Sequence, residues 1–414
     1  MPAARRWAAE QGVDSTIRIA SFGALRGCAA TREILPGENL LSIPQEVLIY
    51  ETSVRNTDLG QMLSAIPNLT IDNLLIIFTM IDRHDPDSRW ARYWASLPAA
   101  FYTGLTFPGE LVSSLSGTAG ALELTRAQSH LRLQYEATQP LFAMLLAAYP
   151  QLLQADWFTY AAYCWAAELW YSYAFEIEFP GDAADATSTP VMVPFACHIN
   201  HSPAPHVVRY GRVDDHGRLN FRAFRPCAQG EQAFISYGPV PNLKLLCYYG
   251  FVIAENPHDV VPLTLELPAG TGAELQARQR EALARLDLGL DHSLCAAKIS
   301  PRLLGTLRVV VATHEELALV DAGRDPVAGP LNAENEGQAL RTLDVALAGL
   351  LDPLGACPLL EAAPAPPRAA APPNENGLDD QWIGSREMCR LYVLGQRDIL
   401  CSTRDQVHRL LSSL

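Results

Sequence analysis

Pro194-Phe195-Ala196-Cys197-His198-Ile199-Asn200-His201-Ser202-Pro203, with His206 just beyond, forms the densest polar cluster of the chain. About thirty residues on comes Gly230-Glu231-Gln232-Ala233-Phe234-Ile235-Ser236-Tyr237-Gly238. Cys197, His198, His201 and His206 offer soft and borderline metal donors. Their spacing matches no zinc framework, and no CxxC pair occurs anywhere. By composition the first stretch reads as a turn whose Asn200 and Ser202 bond backbone groups. The second reads as a Gly-Glu turn feeding a strand, Ala233–Ser236, that ends at Tyr237-Gly238.

Short strands surround these two stretches. Val191–Val193 precedes them, Leu219, Phe221 and Ala223 alternate between them, and Leu263, Leu265 and Leu267 alternate after them. Residues 16–50 also read as β, with Thr16–Ile19 alternating and Asn39–Ile43 following a Pro36-Gly37 turn. Between the β segments, residues 70–180 read as helical. Asp72 is placed to cap Leu74–Met80, and the aromatic-rich stretch Trp157–Phe179 has no Gly or Pro to break a buried helix. Residues 181–190 read as a loop. From about 271 the chain turns helical, with Leu340, Leu343, Leu347, Leu350 and Leu351 on one face and a capping-box-like start at Ser402 and Asp405. Residues 362–377 are rich in Pro and Ala and read as a mobile loop.

Composition narrows the function. The 414 residues carry 31 Lys+Arg against 45 Asp+Glu, a net charge of −14, which disfavours a nucleic-acid binder and suits basic or neutral protein partners. No apolar run reaches 18 residues, so no membrane span is expected. Nine scattered cysteines and an N-terminus without an apolar core point to free thiols in a reducing, intracellular compartment: cytoplasm, nucleus or plastid. The GxSxG, GxxxxGK, HExxH and GxGxxG templates are all absent.

Two further segments complete a pattern: Leu25-Arg26-Gly27-Cys28-Ala29-Ala30-Thr31-Arg32-Glu33-Ile34 upstream and Leu246-Cys247-Tyr248-Tyr249-Gly250-Phe251 downstream. With Asn200-His201-Ser202, Gly230-Glu231 and Tyr237-Gly238 in that order, the sequence resembles the SET-domain methyltransferases. The type is that of the Rubisco large-subunit lysine methyltransferases and the actin-histidine methyltransferase. The resemblance implies an α+β fold with a split β SET domain (15–69 and 186–268), a helical insertion (70–185) and an all-α C-terminal substrate-binding domain (271–414).

The resemblance also implies S-adenosyl-L-methionine as cofactor and a protein substrate, with a lysine or a histidine as methyl acceptor. No metal, nucleic acid or membrane enters, and a monomer is expected. Tyr237 corresponds to the tyrosine beside the transferring methyl, and Leu25, Arg26, Gly27, Asn200 and His201 to cofactor contacts. Tyr249 and Phe251 correspond to the lining of the acceptor channel; the alternative for both is ordinary core. The chain departs from the family at Leu25, which replaces a Gly, and at Cys197, which replaces an Asp. Ser172-Tyr173-Ala174-Phe175 puts Tyr173 where the family's Arg contacts the cofactor carboxylate, leaving Arg26 as the cation available to substitute.

Overall fold

The computed structural model describes residues 2–23, 25–180, 188–268, 270, 272–361 and 383–414. Among these, eleven short strands form four small sheets. β1 (Asp14–Ser15) and β8 (Arg218–Arg222) flank β4 (Asn39–Pro44). β2 (Ile17–Phe22) pairs antiparallel with β3 (Leu25–Ala30), from Ile17↔Ala30 to Phe22↔Leu25. The other edge of β3 meets β9 (Gln232–Ile235) at only two positions, Cys28↔Ala233 and Ala29↔Gln232. β7 (Asn200–His201) then lies parallel to β9. Strand burial follows the apolar alternation: Ile17, Leu41, Ile43, Leu219, Phe221 and Ile235 are fully buried.

The block between these β segments is helical, as its periodicity predicts. Ile71–Asp82 is apolar almost all round and is buried from Leu74 onward. Ala119–Ala148 and Tyr160–Tyr173 pack against it or beside it, and the Trp170 indole donates to Thr79 Oγ1 at 2.9 Å. Beyond residue 271 the helices Ala273–Arg285, Pro301–Val310, His314–Asp321, Ala333–Gly355 and Ile383–Ser412 dominate. Leu340, Leu343 and Leu347 are fully buried, and Arg308 holds Glu336 through two buried hydrogen bonds of 2.5 and 2.8 Å. The last helix returns to the main core: Tyr392 and Val393 are buried there, and Gln396 donates to the Val260 carbonyl.

Local details differ from the sequence expectations. Thr70, not Asp72, caps Ile71–Asp82, because its hydroxyl accepts from the Asn73 N–H at 3.3 Å. The aromatic helix ends at Tyr173, and Ala174–Ile177 becomes β5, drawn into an antiparallel pair by β6 (Thr189–Met192). The C-terminal region is not wholly helical: Asp291–Leu294 forms β11 on β10 (Val261–Thr264). Ser402 starts no helix. It lies inside Ile383–Ser412 and donates to the Ala296 carbonyl, while burial of Val407 carries the helix onward. The Pro/Ala loop at 362–377, and most of the loop read at 181–190, lie outside the described residues.

Candidate active site

The polar cluster is shaped by a strained turn. Phe195, 3% exposed, sits at φ 76°, ψ −47°, a γ-turn conformation rare for a bulky residue. The turn buries Cys197 and His198 and delivers Asn200 and His201 to β7, beside the end of β3. There Leu25, Arg26 and Gly27 have no strand partner on the β9 side among the described residues. The Asn200 amide fills that gap by donating to the Arg26 carbonyl at 2.9 Å. Gly27 is what lets it close: a Cβ there would stand 2.9 Å from Asn200 Nδ2 and 2.5 Å from Gln232 Nε2. Ser202 ties the turn by accepting from the Ala204 N–H. Leu25 is 65% exposed, so its side chain contributes nothing to this joint.

Tyr237 follows β9. Its N–H donates to His201 Nδ1 at 2.9 Å and its hydroxyl donates to the Ile199 carbonyl at 3.1 Å. The first bond leaves the proton of the neutral His201 ring on Nε2, and burial lowers the pKa of that ring. Burial raises the Tyr237 phenol well above its ordinary value, helped by the neighbouring Tyr173 and Tyr249. Tyr237 is therefore a neutral hydroxyl at physiological pH, with a proton pinned to Ile199 and lone pairs left to accept.

Behind this joint lies an internal relay. An Arg26 Nη donates to His198 Nδ1 at 2.8 Å, His198 Nε2 faces Ser96 Oγ at 3.3 Å, and Ser96 donates to the Tyr93 carbonyl at 2.7 Å. Burial and the Arg26 charge push the His198 pKa down to about 3, so the ring is neutral. Tyr173 and Cys197 flank the same guanidinium, and burial raises each to about 12. The Cys197 thiol meets the Tyr93 hydroxyl at 3.4 Å.

Tyr237 also borders a cavity of about 780 Å³, which Cys197 lines as well. Tyr173, Phe175, Tyr210, Tyr237 and Tyr249 are among its lining, with Asp72, Glu176, Lys244 and His130 among its polar groups. The Tyr249 ring lies 5.3 Å from that of Tyr237, tilted by 32°, at the end of a wide π-type turn, Leu245–Tyr249, of the kind that often marks functional sites. Phe251 is not among the residues that line the cavity; its ring lies 6.4 Å from His201 and 6.3 Å from Tyr249, which does line it.

The structure thus brings Arg26, Gly27, Tyr173, Asn200, His201, Tyr237 and Tyr249 into one neighbourhood. The four residues weighed as metal donors do not converge. The described residues do place His206, Cys227 and Glu231 together. However, His206 Nδ1 accepts from the Phe234 N–H and its Nε2 meets Glu231 Oε1 at 3.2 Å, so both ring nitrogens are already used. Glu168 is buried and accepts from the hydroxyls of Thr103 and Thr106, while Glu176 is exposed and accepts from Ser188. Sequence reasoning missed Tyr210, Phe175 and Ser96. Tyr210, whose hydroxyl donates to the Ser236 carbonyl, lies in a loop with no period to flag it.

Comparison with known proteins agrees with this geometry. The SET domain family model matches residues 25–238, slightly more than half the chain. Actin-histidine N-methyltransferase of Danio rerio is 29% identical over 304 residues, covering 70% of this chain and 48% of that protein. Its counterpart in Canis lupus familiaris is 28% identical over 335 residues, covering 76% and 54%. The chain spans about half the length of these curated relatives. Among solved structures, the SET domain of LSMT bound to MeLysine and AdoHcy superposes with a TM-score of 0.73 at 20% identity, covering all of this chain and 93% of that one. Rubisco LSMT bound to sinefungin and monomethyllysine gives 0.72 at 20% identity, covering all of this chain and 94% of that one. Motif order, the joint of β3, β7 and β9, and the family match together establish that the chain belongs to the SET-domain family.

Proposed function

We propose that this chain is an S-adenosylmethionine-dependent protein methyltransferase whose acceptor is a lysine side chain. The observation that carries the reading is the position of Tyr237, a neutral, tethered phenol between the Asn200–His201 joint and an aromatic cavity. Solved structures of similar fold hold AdoMet, or AdoHcy with lysine.

The residues present fit the cofactor. Arg26 makes one side-chain hydrogen bond and no ion pair among the described residues, so it can receive a carboxylate. Asn200 commits its NH2 group to the Arg26 carbonyl, leaving Oδ1 to accept from an ammonium. The rings of His201 and Phe251, 6.4 Å apart and tilted by 38°, add aromatic surface beside the joint. When bound, the cofactor supplies a methyl group on a cationic sulfonium, electrophilic enough that the protein need furnish no nucleophile. The protein's task is alignment, worth up to about 7–11 kcal/mol in favourable cases. With its proton on the Ile199 carbonyl, the Tyr237 oxygen would be free to accept weak C–H contacts from the methyl and to help orient the entering amine. Tyr237 is no general base, since its phenol titrates far above neutrality. A lysine must therefore shed its proton on entry, and desolvation among Phe175, Tyr210 and Tyr249 favours the neutral amine. The Asp72 and Glu176 carboxylates draw the ammonium toward the cavity.

A second reading, a histidine acceptor, is favoured by the named sequence relatives. We also propose that residues 271–414 hold the protein substrate and that the chain works in a reducing compartment, supported by nine free cysteines of which seven are buried. The test is incubation of the full chain with radiolabelled cofactor and a cell extract, followed by mass spectrometry of the labelled proteins. Methyl-lysine is expected, and methyl-histidine would favour the second reading. Cofactor binding without transfer would leave a protein-binding module, and neither binding nor transfer would overturn the proposal.

A further inference from the structure

Arg26 is an unusual cation. Its guanidinium is partly buried and spends one of five donors on His198, with no carboxylate in contact among the described residues. Its titratable neighbours are held neutral by burial: the thiols of Cys28 and Cys197 and the phenols of Tyr93 and Tyr173 all have raised pKa values. The charge is thus oriented without being cancelled. A carboxylate in the place of His198 would orient the guanidinium too, but would neutralise it and compete with an anionic ligand. A neutral imidazole avoids both effects.

We infer that His198 is a positioning residue: its Nδ1 fixes one donor of Arg26 so that the remaining N–H groups present themselves to a ligand carboxylate, and Ser96 fixes the tautomer that permits this. The chain of donors runs one way only. Ser96 gives its proton to the Tyr93 carbonyl, so its oxygen must accept from His198 Nε2–H. Nδ1 is then bare and can only accept from Arg26. His198 is 5% exposed, so no water can take over the role cheaply. The inference rests on the methyltransferase reading, since that reading supplies the carboxylate.

The experiment is titration calorimetry on the full chain with two ligands: S-adenosylhomocysteine and its analogue lacking the carboxylate. The wild-type protein should prefer the carboxylate form by at least about tenfold, as expected for a charge-assisted contact. His198→Leu should collapse that preference to within about threefold while leaving affinity for the decarboxylated analogue within about twofold. His198→Asn, whose amide oxygen can stand near the former Nδ1, should keep most of the preference. Equal loss of both ligands in His198→Leu, or an undiminished preference, would overturn the inference. If His198→Leu melts too low to titrate, Ser96→Ala decides: freeing the tautomer should cut the preference at least about threefold, and an unchanged preference would refute the relay. Wild-type protein that binds both ligands alike overturns the inference alone, whereas wild-type protein that binds neither overturns the reading beneath it.

Discussion

The Tyr237 N–H and the His201 ring are bonded at 2.9 Å across the point where β7 runs parallel to β9. The bond makes one rigid piece of the turn that carries Asn200 and the residue that faces the cavity. A shift in the Phe195 turn therefore moves the Tyr237 backbone with it, coupling cofactor-side and acceptor-side geometry.

Tyr237→Phe should fold normally, because only one hydrogen bond, to the Ile199 carbonyl, is lost, at about 0.5–1.5 kcal/mol. Turnover should fall by roughly two orders of magnitude while cofactor affinity stays within about threefold. Steady-state kinetics and calorimetry on the same preparation check this, and turnover near that of the wild type would remove Tyr237 from the reaction.

Gly27→Ala should weaken cofactor binding about tenfold through Asn200. The new methyl would press on Asn200 Nδ2 at 2.9 Å and loosen its bond to the Arg26 carbonyl. Asn200→Ala should do the same directly, and the double variant should lose little more than either single one. Additive losses would show that the two residues act separately.

Acid should destabilise the fold through His198. Its pKa is about 3 in the folded chain and near 6.5 when unfolded. Between those values the unfolded chain binds a proton that the folded chain refuses, so stability falls as pH drops below about 6.5, by up to roughly 5 kcal/mol near pH 3. His201 and His206, also lowered by burial, act in the same direction, while the raised carboxyls of Asp82, Glu168 and Asp259 oppose it. Urea midpoints from pH 7.5 to 4.5 should decline less steeply in His198→Asn than in the wild type. Identical slopes would place the acid sensitivity elsewhere.

Glu336→Ala should cost about 3–5 kcal/mol, because it strands the Arg308 guanidinium, whose side chain is only 6% exposed. The pairing of Arg308→Met with Glu336→Leu should recover most of that loss. Thermal melts read the effect, and cofactor affinity should change little, since the pair lies among the C-terminal helices.

Much of this architecture was legible because local pattern and tertiary role coincide. Asn200, His201 and Tyr237 stand in motifs short enough to recognise, and the buried helix Ile71–Asp82 announces itself by composition. What escaped depends on distant partners. Ala174–Ile177 has the aromatic content of the helix before it and becomes a strand only because Thr189–Met192 lies alongside. Asp291–Leu294 is polar and is strand only against Val261–Thr264. Ser96 gains meaning from a histidine about a hundred residues later. Thr70 was overlooked beside Asp72 because both are good capping residues, and only backbone geometry chooses between them.

The meeting of Cys28 with Ala233 has a consequence for biogenesis. During synthesis the β2–β3 hairpin leaves the ribosome more than two hundred residues ahead of its partner strand. At typical elongation rates that is a wait of about 10–40 s. Through that interval one hairpin edge is unpaired and open to the wrong strand. The helices between β4 and β5 are rich in local contacts and can form meanwhile, shortening the loop that must close. Assembly of the site is therefore the last act of folding the split domain. Slowing translation after residue 173 should change the yield of active protein more than slowing it before residue 70.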